Sequence, residues 1–270
     1  MTVAGRLTVV VPTRNSARTL RATLESVRAQ THPDVELIVV DNASGDETER
    51  IAAELADRIE RWGPERSAQR NRGWLAASGE LVLFLDSDLA LEPEVAEEAV
   101  ALFRADAGLG AAVVPEHAHG VGFLASCRAL EKRLYLGDGD VEAARIFRRS
   151  VLLEVGGYDE RMTGFEDWEL PDRVEDAGHA LGRLRSCAWH DEGRVRLRQA
   201  FRKKRYYGRD LARYLAVRPA RRRLLRPGFL AHPRLLARSP HLAAGLTVLK
   251  GVEGAGILLG AFEGRRGAAS

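Results

Sequence analysis

Asp86 and Asp88 stand two positions apart, directly after the apolar run Leu81–Leu85. In an extended segment, residues i and i+2 face the same way about 6.6 Å apart, so both carboxylates can share one cation and its ligand. Mg²⁺ or Mn²⁺ held by one or two carboxylates plus phosphate oxygens is the arrangement a nucleotide substrate calls for. A solvated turn would use the same two acids, and their place at the end of a buried strand favours the metal. Two other apolar runs end in polar loops. Pro12-Thr13-Arg14-Asn15 follows Leu7–Val11, and Asp41-Asn42-Ala43-Ser44 follows Val35–Val40.

These loops can converge only if their strands lie side by side and point the same way. In open parallel sheets, ligands bind outside the carboxyl ends of the strands. The three runs show little alternation, as strands buried on both faces do. Ala111–Val114 is a shorter strand candidate. Between the strands run helical patterns. Ser16 is placed to cap a helix with Leu20, Leu24 and Val27 on its apolar face, and Asp46 one with Ile51 and Leu55. Glu94–Arg104 follows Pro93, and Asp167–Ala177 is closed by Gly178. Strand and helix alternating at this spacing predict a mostly parallel α/β sheet with right-handed crossovers.

The chain of 270 residues can bury a core without staples, and 45% hydrophobic with 29% charged residues excludes wholesale disorder. Cys127 and Cys187 provide neither a disulfide framework nor zinc spacing. The first apolar run is too short for a signal-peptide core, so the expected location is the cytoplasm. The net charge of +3 hides an asymmetry: residues 194–226 hold fourteen Arg or Lys against Asp210, leaving −10 for everything else. The expected division is therefore a catalytic domain over residues 1–192 and a basic helical extension over 193–270. In that extension Val195–Val217 reads as a basic helical stretch, Pro219–Pro240 as a Pro-punctuated segment, and Leu242–Ala261 as an apolar helix. Lys250 and Glu253 at the centre of the last cost about 5–7 kcal/mol on an insertion scale, which opposes spanning a bilayer. Three apart, they are expected to share a wet face, with Leu246, Leu249, Ile257 and Leu258 at an anionic membrane surface.

Four segments in order resemble glycosyltransferase family 2, of the GT-A fold. Val9-Val10-Val11-Pro12-Thr13-Arg14-Asn15 and Leu37-Ile38-Val39-Val40-Asp41-Asn42-Ala43-Ser44-Gly45-Asp46 look like its opening. Arg70-Asn71-Arg72-Gly73, leading through Ala77-Ser78-Gly79-Glu80 into Leu83-Phe84-Leu85-Asp86-Ser87-Asp88, continues it. Gly156-Gly157-Tyr158-Asp159-Glu160 and Gly164-Phe165-Glu166-Asp167 resemble its acceptor-side segment and its Glu-Asp catalytic pair. The resemblance implies an inverting transfer from a nucleotide-sugar, with a UDP-sugar as the leading donor, to an acceptor hydroxyl. It implies that Pro12, Thr13, Asn15 and Asp41 form the nucleotide-sugar loops, with Arg70 near the nucleotide and Asp86 on the sugar-nucleotide. Asp88 is then the metal-ligating acid, with Asp86 beside it and His190 as a further ligand, and Asp167 the general base beside Glu166. Asn42 stands where the family often has a second acid, which loosens base selectivity.

Two other functions compete. A sugar nucleotidyltransferase needs a Gly-rich phosphate loop after the first strand, and Pro12-Thr13-Arg14-Asn15 has no glycine. A nucleic-acid-binding protein would explain the basic arm with Phe201, Tyr206, Tyr207 and Tyr214, but it leaves the acidic loops without a purpose. An anionic membrane surface is the better partner for residues 194–261, near a lipid-linked or membrane-bound acceptor.

Overall fold

The apolar runs become strands whose alternate residues supply two different faces of one sheet. The structure is a computed structural model and describes residues 2–138, 141–217 and 232–267. Its strands are β1 (Val3–Thr13), β2 (Val35–Asp41), β3 (Arg58–Arg61), β4 (Gly79–Phe84), β5 (Leu89–Leu91), β6 (Leu109–Val113), β7 (Glu116–His119), β8 (Ala144–Arg148), β9 (Ala180–Arg183) and β10 (Ala188–Asp191). Its helices are α1 (Leu20–Arg28), α2 (Thr48–Leu55), α3 (Arg66–Ala76), α4 (Val95–Ala105), α5 (Phe123–Tyr135), α6 (Arg149–Val155), α7 (Glu166–Asp176), α8 (Leu197–Gly208), α9 (Leu211–Val217), α10 (Pro233–Arg238) and α11 (Pro240–Gly267). The chain divides into two compact units, Met1–Glu116 with Ala143–Arg161 and Leu170–His190, and His117–Glu142 with Met162–Glu169 and Asp191–Ser270.

In the first unit, seven strands among the described residues form one sheet, in the order β3-β2-β1-β4-β8-β6-β9. The pairs β1–β2, β1–β4, β2–β3 and β6–β9 are parallel, and β8 is antiparallel to both β4 and β6. Val9, Leu37 and Leu83 pack with Leu20, Leu24 and Val27 of α1 and Val95 and Ala99 of α4. Their neighbours Val10, Ile38 and Phe84 belong to a separate core with Trp74, Leu152 and Tyr158. That split is the period of two acting on strands covered on both sides.

Ser16 does not cap α1. A turn intervenes: the Ser16 carbonyl accepts from the N–H groups of Thr19 and Leu20. Thr19 then holds the N-cap position without a side-chain bond. The Ser16 hydroxyl instead accepts from Ser87 at 2.8 Å, reaching the loop after β4. Asp46 does satisfy an N-terminal donor of α2, accepting from Thr48 N–H at 3.0 Å.

In the second unit, the basic stretch expected over Val195–Val217 breaks at Arg209-Asp210 into α8 and α9. Gly256, Gly260 and Gly264 of α11 recur every four residues and meet the carbonyls of Phe201, Arg205 and Arg209. A Cβ at Gly260 would lie 2.0 Å from Arg205 O, so α11 and α8 approach at a distance that only glycine permits. α11 also packs on α5, where Leu246 joins Cys127, Leu130 and Leu134.

The expected wet face of α11 is not wet. Glu253 is 2% exposed and paired with Arg128 of α5. Lys250 lies 2.7 Å from Glu131 and 3.3 Å from Glu253, and Arg128 also pairs with Glu131. The i, i+3 spacing places both charges on one face, as expected. That face is turned inward because α5 carries charges to meet it. Leu246 and Leu249 are buried beside the charges, whereas Leu258 is 70% exposed, so the outward apolar stripe is not the expected one. Pro240–Gly264 is long and apolar enough to cross a membrane by length and composition alone. Positions 219–231 of the Pro-punctuated segment, and 218–226 of the basic arm, lie outside the described residues.

Candidate active site

The first two polar loops are knitted together by a buried carboxylate. Asp41, at the end of β2, accepts from the Thr13 hydroxyl at 2.8 Å, the Ser44 N–H at 2.8 Å and the Ser44 hydroxyl at 2.6 Å. Asn15 closes the arrangement, its N–H donating to Ser44 Oγ and its Oδ1 accepting from Gly45 N–H, each at 2.8 Å. Pro12 and Thr13 pair in register with Val40 and Asp41. Gln69 of α3, which carried no sequence signal, donates to the carbonyls of Thr13 at 2.9 Å and Val40 at 2.6 Å.

The third loop meets a run of alternating charges. Arg70 is 1% exposed, lies over the Tyr158 ring, and donates to Asp86 Oδ1 at 2.8 Å. Arg145 of β8 approaches Asp86 Oδ2 at 3.3 Å and Glu116 Oε2 at 2.8 Å. The other Glu116 oxygen lies 3.0 Å from His190 Nδ1, and His190 Nε2 lies 3.1 Å from Asp88 Oδ2. Strand pairing explains His190: β10 runs antiparallel to β5 with His190 opposite Leu89, the residue after Asp88. Burial pushes the Asp86 carboxyl up, but the charges of Arg70, Arg145 and Arg66 outweigh it and hold the group well below its ordinary value. Asp86 thus stays ionised throughout the neutral range.

Asp86 is therefore brought to two arginines and Asp88 to the imidazole. Among the described residues, no three His, Cys, Asp or Glu side chains come together as a metal-binding group. Asp88 and His190 offer one oxygen and one nitrogen, which fits Mn²⁺ or Mg²⁺ if diphosphate oxygens and water fill the remaining positions. Arg145 and Glu116 were not singled out from the sequence. Glu116 follows the Ala111–Val114 run as the other acids follow theirs, so its strand-end position is a signal present in the sequence. Arg145 lies in the antiparallel strand and has no motif.

Asn71 joins two of the recognised segments. Its amide donates to Tyr158 O and Glu160 Oε1, each at 2.9 Å, and its Oδ1 accepts from Tyr158 N–H at 2.9 Å. Gly157 has φ +70°, and a Cβ there would lie 2.6 Å from both Asn71 Oδ1 and Trp74 Nε1, so glycine is required twice over.

The second unit carries Glu166 and Asp167 in the first turn of α7, where carboxylates are favoured by the helix dipole. Glu166 is buried and Asp167 half-buried. The turn before them is held by α9 and the residues leading into it. Asp210 Oδ2 accepts from Thr163 N–H at 2.7 Å and from its hydroxyl at 2.8 Å. Phe165 takes φ +69°, a conformation rare for a bulky residue, and stacks on the buried Tyr214 at 5.4 Å. Trp168 packs near both rings and donates to Val141 O at 3.2 Å, which gives it a structural role.

The sequence pattern described as "Glycosyl transferase family 2" matches residues 8–136. The chain is 31% identical over 180 residues to a PGL/p-HBAD biosynthesis glycosyltransferase of Mycobacterium bovis, covering 62% of this chain and 68% of that relative. It is 31% identical over 236 residues to a pre-mycofactocin glycosyltransferase of Mycobacterium tuberculosis, covering 78% of this chain and 48% of the relative. The chain spans half or less of the length of several curated relatives it matches. Among solved structures, the mannosyltransferase PcManGT from Pyrobaculum calidifontis, in complex with GDP-Man and Mn²⁺, aligns with a TM-score of 0.62 at 23% identity, over 98% of this chain and 79% of that one. That likeness carries the fold, a GT-A α/β sheet flanked by helices with a C-terminal helix. Together with the family pattern and the relatives in sequence, it leaves one conclusion: the chain belongs to glycosyltransferase family 2.

Proposed function

We propose that the chain moves a sugar from a nucleotide-diphospho-sugar, with a UDP-sugar as the leading donor, to an acceptor hydroxyl by metal-assisted inverting displacement. The observation that carries this reading is the run from Arg70 through Asp86, Arg145, Glu116 and His190 to Asp88, set at the carboxyl end of β4. A cation bound by Asp88 and His190 would offset the charge that develops on the leaving diphosphate. Asp167 takes the proton of the acceptor hydroxyl as its oxygen bonds to the anomeric carbon and the bond to the diphosphate breaks. The ionised Asp86, held by its two arginines, faces the donor as a fixed acceptor for sugar hydroxyls. The GDP-Man and Mn²⁺ of the mannosyltransferase relative in structure support a nucleotide-sugar with a cation.

A thermal-shift screen of the folded protein against UDP- and GDP-sugars, with and without Mn²⁺, tests this. One donor should stabilise the protein more with Mn²⁺ than without. Asp88→Asn should remove that metal-dependent increment and leave a cooperative metal-free melt, because Asn keeps an oxygen that can accept from His190 Nε2. Unchanged metal dependence in the variant would refute the assignment.

The reading extends to an acceptor that is lipid-linked or membrane-bound. Between His241 and Phe262, none of the exposed side chains of α11 is charged; they include Val248, Leu258 and Leu259. The neighbouring α8 exposes Arg198, Arg202 and Lys203. A basic residue reaching an anionic surface contributes about 1 kcal/mol, screened by salt. Flotation with anionic liposomes should show binding that weakens at high salt and drops further in Leu258→Glu. Full-length protein left in the soluble fraction at low salt would end this part of the proposal.

A further inference from the structure

His190 is gripped at both ring nitrogens. Nδ1 lies 3.0 Å from Glu116 Oε1, and Nε2 lies 3.1 Å from Asp88 Oδ2. Glu116 is itself fixed: its second oxygen accepts from Arg145 Nη2 at 2.8 Å, and Arg145 Nη1 reaches Asp86 at 3.3 Å. The side chains of Glu116, Arg145 and His190 are all largely buried, so this geometry is packed in place.

We propose that Glu116 is a positioning residue: pinned by Arg145, it holds Nδ1 of His190 and so presents Nε2 to the cation beside Asp88. This rests on the reading that Asp88 and His190 hold the donor's cation. An ionised carboxylate only accepts, so each contact uses a ring hydrogen; a cation beside Asp88 would take the place of the one on Nε2, and the one on Nδ1 stays with Glu116. An imidazole that binds metal through one nitrogen characteristically donates from the other to a carboxylate, which sets its tautomer and ring orientation. Arg145 does two things here. It stops Glu116 from swinging away, and it occupies the oxygen that would otherwise compete for the cation. The same arginine touches Asp86, so the acid on the donor side and the imidazole on the metal side are set by one guanidinium.

The test is a titration with Mn²⁺ in the presence of UDP, following the EPR signal of the free ion, on wild type, Glu116→Ala, Glu116→Gln and Asp88→Asn. Loss of an outer partner of this kind weakens metal affinity about 10–100-fold, and that is the fall expected for Glu116→Ala. Glu116→Gln keeps an acceptor for Nδ1 but gives up the charge pairing with Arg145, so it should fall between Ala and wild type. Affinity for UDP without metal should be the same in wild type and both Glu116 variants, which a general loss of structure would not allow. Glu116→Ala binding Mn²⁺ as wild type does, while Asp88→Asn loses it, would overturn the role of Glu116 alone. If Asp88→Asn also binds as wild type does, or wild type does not bind, the metal reading falls and takes this inference with it. Should Glu116→Ala fail to fold, Glu116→Gln at wild-type affinity overturns the inference by itself.

Discussion

Asp167→Asn is expected to lower turnover by roughly 10²–10⁴ while leaving donor affinity and the melting transition close to wild type. The substitution keeps size and hydrogen-bonding capacity and removes only the proton acceptor. Asp167 is the second residue of α7, in a first turn it shares with Glu166 and Glu169. Losing one charge there costs helix stability of about 0.3–1 kcal/mol, far short of a hundredfold in rate. The turn before it has supports besides the Asp167 carboxylate: Asp210 holds Thr163 and Tyr214 stacks on Phe165. Initial rates per folded molecule, donor affinity and a melt separate the outcomes. A less stable protein with normal turnover would show that Asp167 serves the helix and not the reaction.

Arg128→Met should destabilise the fold by about 3–5 kcal/mol at neutral pH. Met keeps most of the volume but leaves Glu131 and Glu253 close together, with Lys250 still ion-paired to both. Burial pushes the Glu253 carboxyl up, yet the hydrogen bond and charge of Arg128, with Lys250 and Lys204, bring it down to about 2 from an ordinary 4.5. A lowered carboxylate stabilises the fold above its unfolded value and loses that contribution as pH falls. For Glu253 the window runs from about pH 4.5 down to about 2. Denaturant melts at pH 7 and pH 3 should therefore show the gap between Arg128→Met and wild type narrowing at the lower pH. Equal stability at pH 7 would mean that the buried ions are not what fixes α11 to α5. The effect should also reach catalysis, because the same unit carries Asp210, Tyr214 and Asp167.

What could be read from the sequence follows from which signals are local. The strands β1, β2 and β4, the apolar face of α1 and the extent of α4 were legible because unbroken apolar runs and helical spacing are properties of neighbouring residues. The positions of Thr13, Asn15, Asp41, Asp86 and Asp88 at strand ends followed from the same pattern. Three things were not legible. The turn of Ser16–Thr19 delays α1 by a few residues, which residue spacing does not encode. Lys250 and Glu253 share a face, but whether that face meets water depended on Arg128 and Glu131 more than a hundred positions away. Arg145 reaches Asp86 because β8 inserts antiparallel beside β4, a pairing no local pattern announces. The four-residue spacing of Gly256, Gly260 and Gly264 stands in the sequence, but its meaning as a close helix contact required the partner helix.

The metal site is tested most directly by an anomalous difference map from crystals soaked with Mn²⁺ and UDP. One strong peak is expected, coordinated by Asp88 and His190 Nε2, with Asp86 still paired to Arg70 and Arg145. A peak bound instead by Asp86, with His190 turned away, or none at this loop in crystals that show UDP, would contradict it.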